Sequence, residues 1–297
     1  MMDERPTRLI LHAGMSKTGS TAMQAAMAMG RECLRNNGVL YPTAGSRGPE
    51  HINHLALFRS AQADPPGGPN RVPLDEHLAM LRDEIAETEP SHVVLSSEFL
   101  WDPREFSVVD LDRIAGALTG FDVQVLVYLR DPVAHAHSAY KQLVKGRTRY
   151  RGLPRDYLSS ALPAGVWDFD HRLSALEGAF GTGRVLAVRY EEHRSHVLRP
   201  LMSHVPPAAR SCVRTQGQAN PSPGWAEIRM LRWRNVATRR WPSLDIPLRY
   251  ALAAGRRTVL RAIPPTSLSP FGPDDDRQLA ACRTATANGT RWGSTPP

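Results

Sequence analysis

Apolar positions along this chain switch between short runs of strand type and a period near 3.6. Arg8–His12 (RLILH) is a short run of strand type, and a polar, glycine-containing stretch, Ala13–Thr21, follows it. Met23, Met27, Gly30 and Leu34 then recur four, three and four residues apart, which predicts one helical face. Gly38 stands where a C-cap glycine belongs, and Gly38–Tyr41 reads as a second strand stopped by Pro42. Residues 43–73, rich in Gly, Pro, Ser and His, read as a long functional loop or lid.

Leu74, Leu78, Leu81 and Ile85 mark an amphipathic helix that ends before Pro90, and His92–Ser96 is a third strand leading into Ser97 and Glu98. Asp110 is expected to cap a short helix carrying Leu111, Ile114 and Leu118. The most apolar strand, Val123–Leu129, ends in Arg130-Asp131-Pro132, and a helix is expected from Pro132 to Val144. Leu173, Leu176 and Phe180 give a further helix, and Arg184–Tyr190 a fifth strand.

Strands alternating with helices predict a three-layer α/β/α fold with a central, mostly parallel sheet. After residue 200 the pattern turns helical and loop-like, with an Arg/Trp-rich segment at 225–241 that reads as a basic amphipathic helix. There are no repeats and no linker, so one domain over residues 1–297 is expected, with its core at 8–190 and a helical region at 220–297.

Apolar content of 41% and charged content of 22% exclude a disordered or fibrous chain. The formal net charge of +8 adds a preference for anionic ligands: nucleotide phosphates, acidic glycans, nucleic acid or a membrane surface. Cys33, Cys212 and Cys282 lie far apart without neighbouring His pairs, which argues against a metal site and against a disulfide framework. No apolar run approaches a membrane span, and the polar residues before Arg8 do not resemble a signal peptide. A cytoplasmic, reducing setting is the expectation.

The chemistry starts at the first loop. A glycine-containing turn between strand and helix lets backbone N–H groups converge on an anion at the helix start. Gly14 and Gly19 allow the turn, Lys17 adds a point charge, and Ser20 and Thr21 add hydroxyl donors. The nucleoside-triphosphate loop GxxxxGK[ST] places its lysine after the second glycine, whereas Lys17 precedes Gly19 here.

Lys17-Thr18-Gly19-Ser20-Thr21 resembles the 5′-phosphosulfate loop of sulfotransferases that use 3′-phosphoadenosine 5′-phosphosulfate, in a soluble member of bacterial type. Tyr128-Leu129-Arg130-Asp131-Pro132 followed by His137-Ser138-Ala139-Tyr140 resembles that family's 3′-phosphate site, with Arg130 at a strand end and Ser138 eight positions on. The resemblance implies a P-loop-like nucleotide-binding fold and a cofactor site of Lys17, Thr18, Gly19, Ser20, Thr21, Arg130 and Ser138. It implies sulfuryl transfer from that donor to an acceptor hydroxyl or amine, with Lys17 serving the leaving oxygen and no metal required. Asn220-Pro221-Ser222 reads as a capping turn or as a further donor segment.

An acceptor hydroxyl needs a general base. His54 is the first candidate, because Leu55 onward reads as a helix start that would hold it. His51 is second. Glu98, after strand three at the carboxyl edge of the sheet, is third. His135 and His137 read as helix surface and packing. The acceptor, whether glycan, lipid, small metabolite or peptide, is not written in the sequence. Two other readings compete: a kinase-like phosphotransferase using a nucleoside triphosphate, and a non-enzymatic binder of anions or nucleic acid. The resemblance implies no nucleic-acid partner.

Overall fold

In a computed structural model, residues 6–46, 52–64, 72–215, 223–250 and 269–287 are described. His51 and Asn220–Ser222 lie outside them. The chain falls into two compact units. The first comprises Met1–Arg130, Asp168–Gly217 and Thr286–Pro297; the second comprises Asp131–Trp167 and Gln218–Ala285. The second unit thus draws part of its chain from inside the expected 8–190 core.

The first unit is built on one parallel sheet of β1 (Arg8–His12), β2 (Val39–Leu40), β3 (His92–Ser96), β4 (Asp122–Leu129) and β5 (Val185–Arg189), ordered β2-β3-β1-β4-β5. His12 pairs in register with Ser96 on one side and Leu126 on the other. The crossovers are helical: α1 (Ser20–Met29), α2 (Arg31–Asn36), α3 (Leu55–Ser60), α4 (Leu74–Thr88) and α5 (Val108–Ala117). Two helices of the second unit come next in the chain, α6 (Pro132–Lys145) and α7 (Pro154–Ala161). The chain then returns to the first unit with α8 (Phe169–Phe180), α9 (Tyr190–His193) and α10 (Leu198–Met202).

The strands read as continuous apolar runs because both sheet faces are covered. Ile10, Val94, Leu126, Tyr128 and Val188 pack with Met23, Met27, Leu34 and Leu201 on one face. Leu9, Leu11, Val93, Leu95, Val125 and Val127, on the alternate positions, are buried as completely. Helix α8 packs on β4, β5 and α5 at the sheet. The three-layer α/β/α architecture expected from the sequence is what the first unit shows.

Three local expectations need correction. The Met23–Leu34 face belongs to two helices, broken at Gly30, where a Cβ would sit 2.7 Å from the Cys212 carbonyl oxygen. Asp110 is not the N-cap of α5. Ser107 is, and Asp110 at the third helical position answers it in a capping box.

The third correction concerns the cysteines, which were expected to be unpaired in a reducing compartment. Cys33 and Cys212 form a disulfide that ties α2 to the Pro207–Cys212 turn across 179 residues of chain. A crosslink closing so long a loop contributes on the order of 2–4 kcal/mol, mostly by restricting the unfolded chain. Cys282 takes no part in this disulfide.

In the second unit, α11 (Trp225–Arg240) packs on α6, and α12 (Pro273–Ala287) supplies Asp276 to His137. Trp225 and Phe271 stack against that histidine, Tyr140 packs edge-on to Phe271, and His135 accepts a hydrogen bond from the Trp167 indole. No helix among the described residues is long and apolar enough to cross a membrane.

Candidate active site

Three adjacent strands of the first unit deliver the site. β1 is central and runs into the Ala13–Gly19 loop; β3 beside it leads into Ser97-Glu98, and β4 on its other side leads into Arg130. In an open parallel sheet such carboxyl ends, where the strand order changes direction, are where ligands bind.

The loop is held in a conformation that its residues do not all favour. Lys17 has φ 66° and Gly19 φ 80°, both left-handed. That region is easy for glycine but costs a lysine roughly 1–2 kcal/mol. Alternation of this kind turns successive backbone N–H groups toward one concave side. No side chain caps α1, whose first internal bond runs from Met23 N–H to the Gly19 carbonyl. The amides of Ser20, Thr21 and Ala22 therefore point off the helix start, as an anion site needs.

Surrounding contacts impose the strain. The Thr18 hydroxyl donates to the Met15 carbonyl at 2.6 Å, and Arg130 donates from Nη1 to the Lys17 carbonyl at 2.7 Å. The Arg130 guanidinium also lies 5.3 Å from the Tyr190 ring centroid, next to the end of β5. Its Nε is buried without a hydrogen-bond partner. A guanidinium clamped in this way, with a donor still unspent, suits a phosphate oxygen. Gly14 admits no side chain, since a Cβ there would lie 2.8 Å from the Tyr128 nitrogen.

Beneath the loop runs a polar network that the sequence did not disclose. His12 Nδ1 lies 2.7 Å from Ser96 Oγ, and the Gln24 amide donates to Ser96 Oγ at 3.0 Å and to Glu98 Oε2 at 2.9 Å. The carboxylate accepts only, so the Gln24 amide is oriented unambiguously. Tyr41 donates to the Ile52 carbonyl at 2.5 Å and shares a hydrogen bond with Ser96. If the Ser96 proton goes to Tyr41, the proton on the neutral His12 ring sits at Nδ1 and Nε2 is a bare acceptor; Nε2 is buried and unpartnered.

The three expected bases are placed differently. His54 is the residue before α3 and is buried; its Nδ1 accepts from Ser96 N–H at 3.0 Å and its Nε2 donates to the Pro42 carbonyl at 3.1 Å. Both nitrogens are thus engaged with backbone. Glu98 is half-buried and opens the turn Glu98–Trp101, held by Gln24. His51 lies outside the described residues. Ser138 is half-buried on α6 in the second unit. Among the described residues no cluster of three or more His, Cys, Asp or Glu forms a metal site.

Burial pushes the His12 ring down to about 3 and the His54 ring down to about 4. Both are neutral at pH 7, whereas unfolded histidines protonate below about pH 6.5. A depressed folded value means stability is complete above that pH and lost as pH falls toward 4. Between pH 7.5 and 5 the two rings should cost on the order of 4 kcal/mol. Urea denaturation at both pH values measures this; equal unfolding free energies would contradict it.

No protein-family model and no curated protein matches this chain. Among solved structures, a sulfotransferase from Alicyclobacillus acidocaldarius is similar, with a TM-score of 0.42 and 19% sequence identity. The match covers 87% of this chain and 98% of that one. A likeness that distant does not bear on chemistry.

Proposed function

We propose that this protein is a sulfotransferase that moves a sulfuryl group from 3′-phosphoadenosine 5′-phosphosulfate to an acceptor hydroxyl or amine. The observation that carries the reading is the strained Lys17–Gly19 turn, locked by Arg130 at an uncapped helix start. Such strain persists where a backbone must meet a ligand. Lys17, Thr18, Gly19, Ser20 and Thr21 hold the 5′-phosphosulfate in this scheme. Arg130 and, on sequence spacing alone, Ser138 take the 3′-phosphate.

Sulfuryl transfer asks little covalent chemistry of the protein. By analogy with phosphoryl transfer, in-line positioning and stabilisation of the leaving oxygen dominate. Lys17 serves that oxygen. For the base we prefer Glu98 to His54, because a residue whose two ring nitrogens hold backbone groups has no lone pair to offer. Glu98 stands at the loop's edge of the sheet, held by Gln24 and half-exposed.

Calorimetric titration with 3′,5′-adenosine bisphosphate in chelator tests the donor. Binding is expected without a divalent ion, and labelled sulfate should pass from the donor to one class in a panel of glycans, lipids, small metabolites and peptides. Binding only of a nucleoside triphosphate with magnesium would favour the phosphotransferase reading instead.

A further inference from the structure

The second unit carries a cavity of about 630 Å³ between the turn that follows α6 and helix α11. Five cationic side chains line it: Lys145, Arg147, Arg149, Arg234 and Arg249. Val144 and Leu231 add apolar wall. The walls are fixed by Asn235, which is buried and donates from one amide to the Val144 carbonyl at 2.8 Å and the Tyr150 carbonyl at 3.2 Å. Arg149 has φ 47°, a left-handed conformation for a bulky residue and so a local strain.

Charge in this cavity is unbalanced. Among the described residues the carboxylate paired with these arginines is Asp245, which accepts from Arg234 Nη2 at 2.7 Å, while Arg149 Nη2 and Arg249 Nη2 each approach it to 3.3 Å. These guanidiniums hold the Asp245 carboxyl below its ordinary value. Lys145 and Arg147 are exposed and form no ion pair among the described residues. One acid thus answers three arginines, and two further cations stand beside them.

Guanidinium forks match tetrahedral oxyanions, and a concave, one-signed surface raises the local concentration of counter-ions. The volume exceeds what an inorganic ion fills, and the apolar walls suit an organic body. We infer that this cavity binds a small organic molecule carrying more than one sulfate or phosphate ester. Lys145 and Arg147 meet its charge, and Asp245 keeps the three arginines converged. The inference does not depend on the transferase reading, whose donor residues named in the loop belong to the first unit.

Calorimetry on the full chain at low ionic strength tests it with two probes, a trisulfated disaccharide and glucose 1,6-bisphosphate, which separate sulfate from phosphate preference. At least one should bind. A Lys145→Ala/Arg147→Ala double variant, changed only at the exposed end of α6 and the turn after it, should bind about tenfold more weakly. Lys17→Ala should bind the probe as the unaltered chain does. The inference is overturned if neither probe binds at millimolar concentration or if the double variant binds unchanged. Loss of binding in Lys17→Ala would assign the probe to the donor loop and overturn it equally.

Discussion

Replacing Lys17 by alanine is expected to lower kcat for sulfate transfer by about 10²–10³-fold while weakening 3′,5′-adenosine bisphosphate only a few-fold. The asymmetry follows from the role assigned to the lysine. Its charge matters most as the bridging oxygen takes up electrons, and the bisphosphate product keeps its backbone and Arg130 contacts. Lys17→Gly separates chemistry from architecture more sharply. Lys17 sits at φ 66°, so glycine removes its steric penalty and should raise stability by roughly 1 kcal/mol. That variant should be more stable yet as slow as the alanine variant. A rise in thermal midpoint with turnover intact would refute the role; a fall in both would show that the loop, not the charge, had been lost. Single-turnover transfer and thermal unfolding together read the result.

How much of this was legible beforehand depends on whether the signal was local. The Arg8–Leu34 segment declared itself because an apolar run, two glycines and a helical period follow one another within one short stretch. The parallel sheet followed from alternation of elements, and β1, β3 and β4 stand within a residue of where the pattern put them. The capping error at α5 was avoidable, since Ser107 with an acid three residues on is a readable box.

Other features were written across the sheet instead. The Ser96 contacts to His12 and Gln24 span 84 and 72 positions, and the Cys33–Cys212 link spans 179. Such pairs exist only once strand order and register are set. The left-handed Lys17 was hidden for another reason: nothing in a lysine marks it for positive φ, and the Arg130 and Thr18 contacts that hold the loop there come from the fold. His54 stands at a helix start as the pattern put it, while the use of both its nitrogens depends on Pro42 and Ser96 and is not local.

Those placements decide between the candidate bases by experiment. Glu98→Gln keeps the shape and a hydrogen bond to Gln24 but cannot accept a proton, so kcat should fall by about 10²–10⁴-fold with donor affinity unchanged. Gln24→Leu leaves the carboxylate and removes what orients it. Turnover should then drop by about tenfold, and exogenous small bases should restore little, because the base is present but misdirected. His54→Asn, by contrast, leaves Ser96 N–H and the Pro42 carbonyl without their ring partners. It should cost about 1–3 kcal/mol of stability while the surviving folded enzyme turns over nearly as before. The three variants thus move three different quantities: the chemical step, its orientation and the fold. Should His54→Asn fold normally and lose the chemical step while Glu98→Gln keeps it, the histidine is the base, and its two backbone hydrogen bonds must open during turnover.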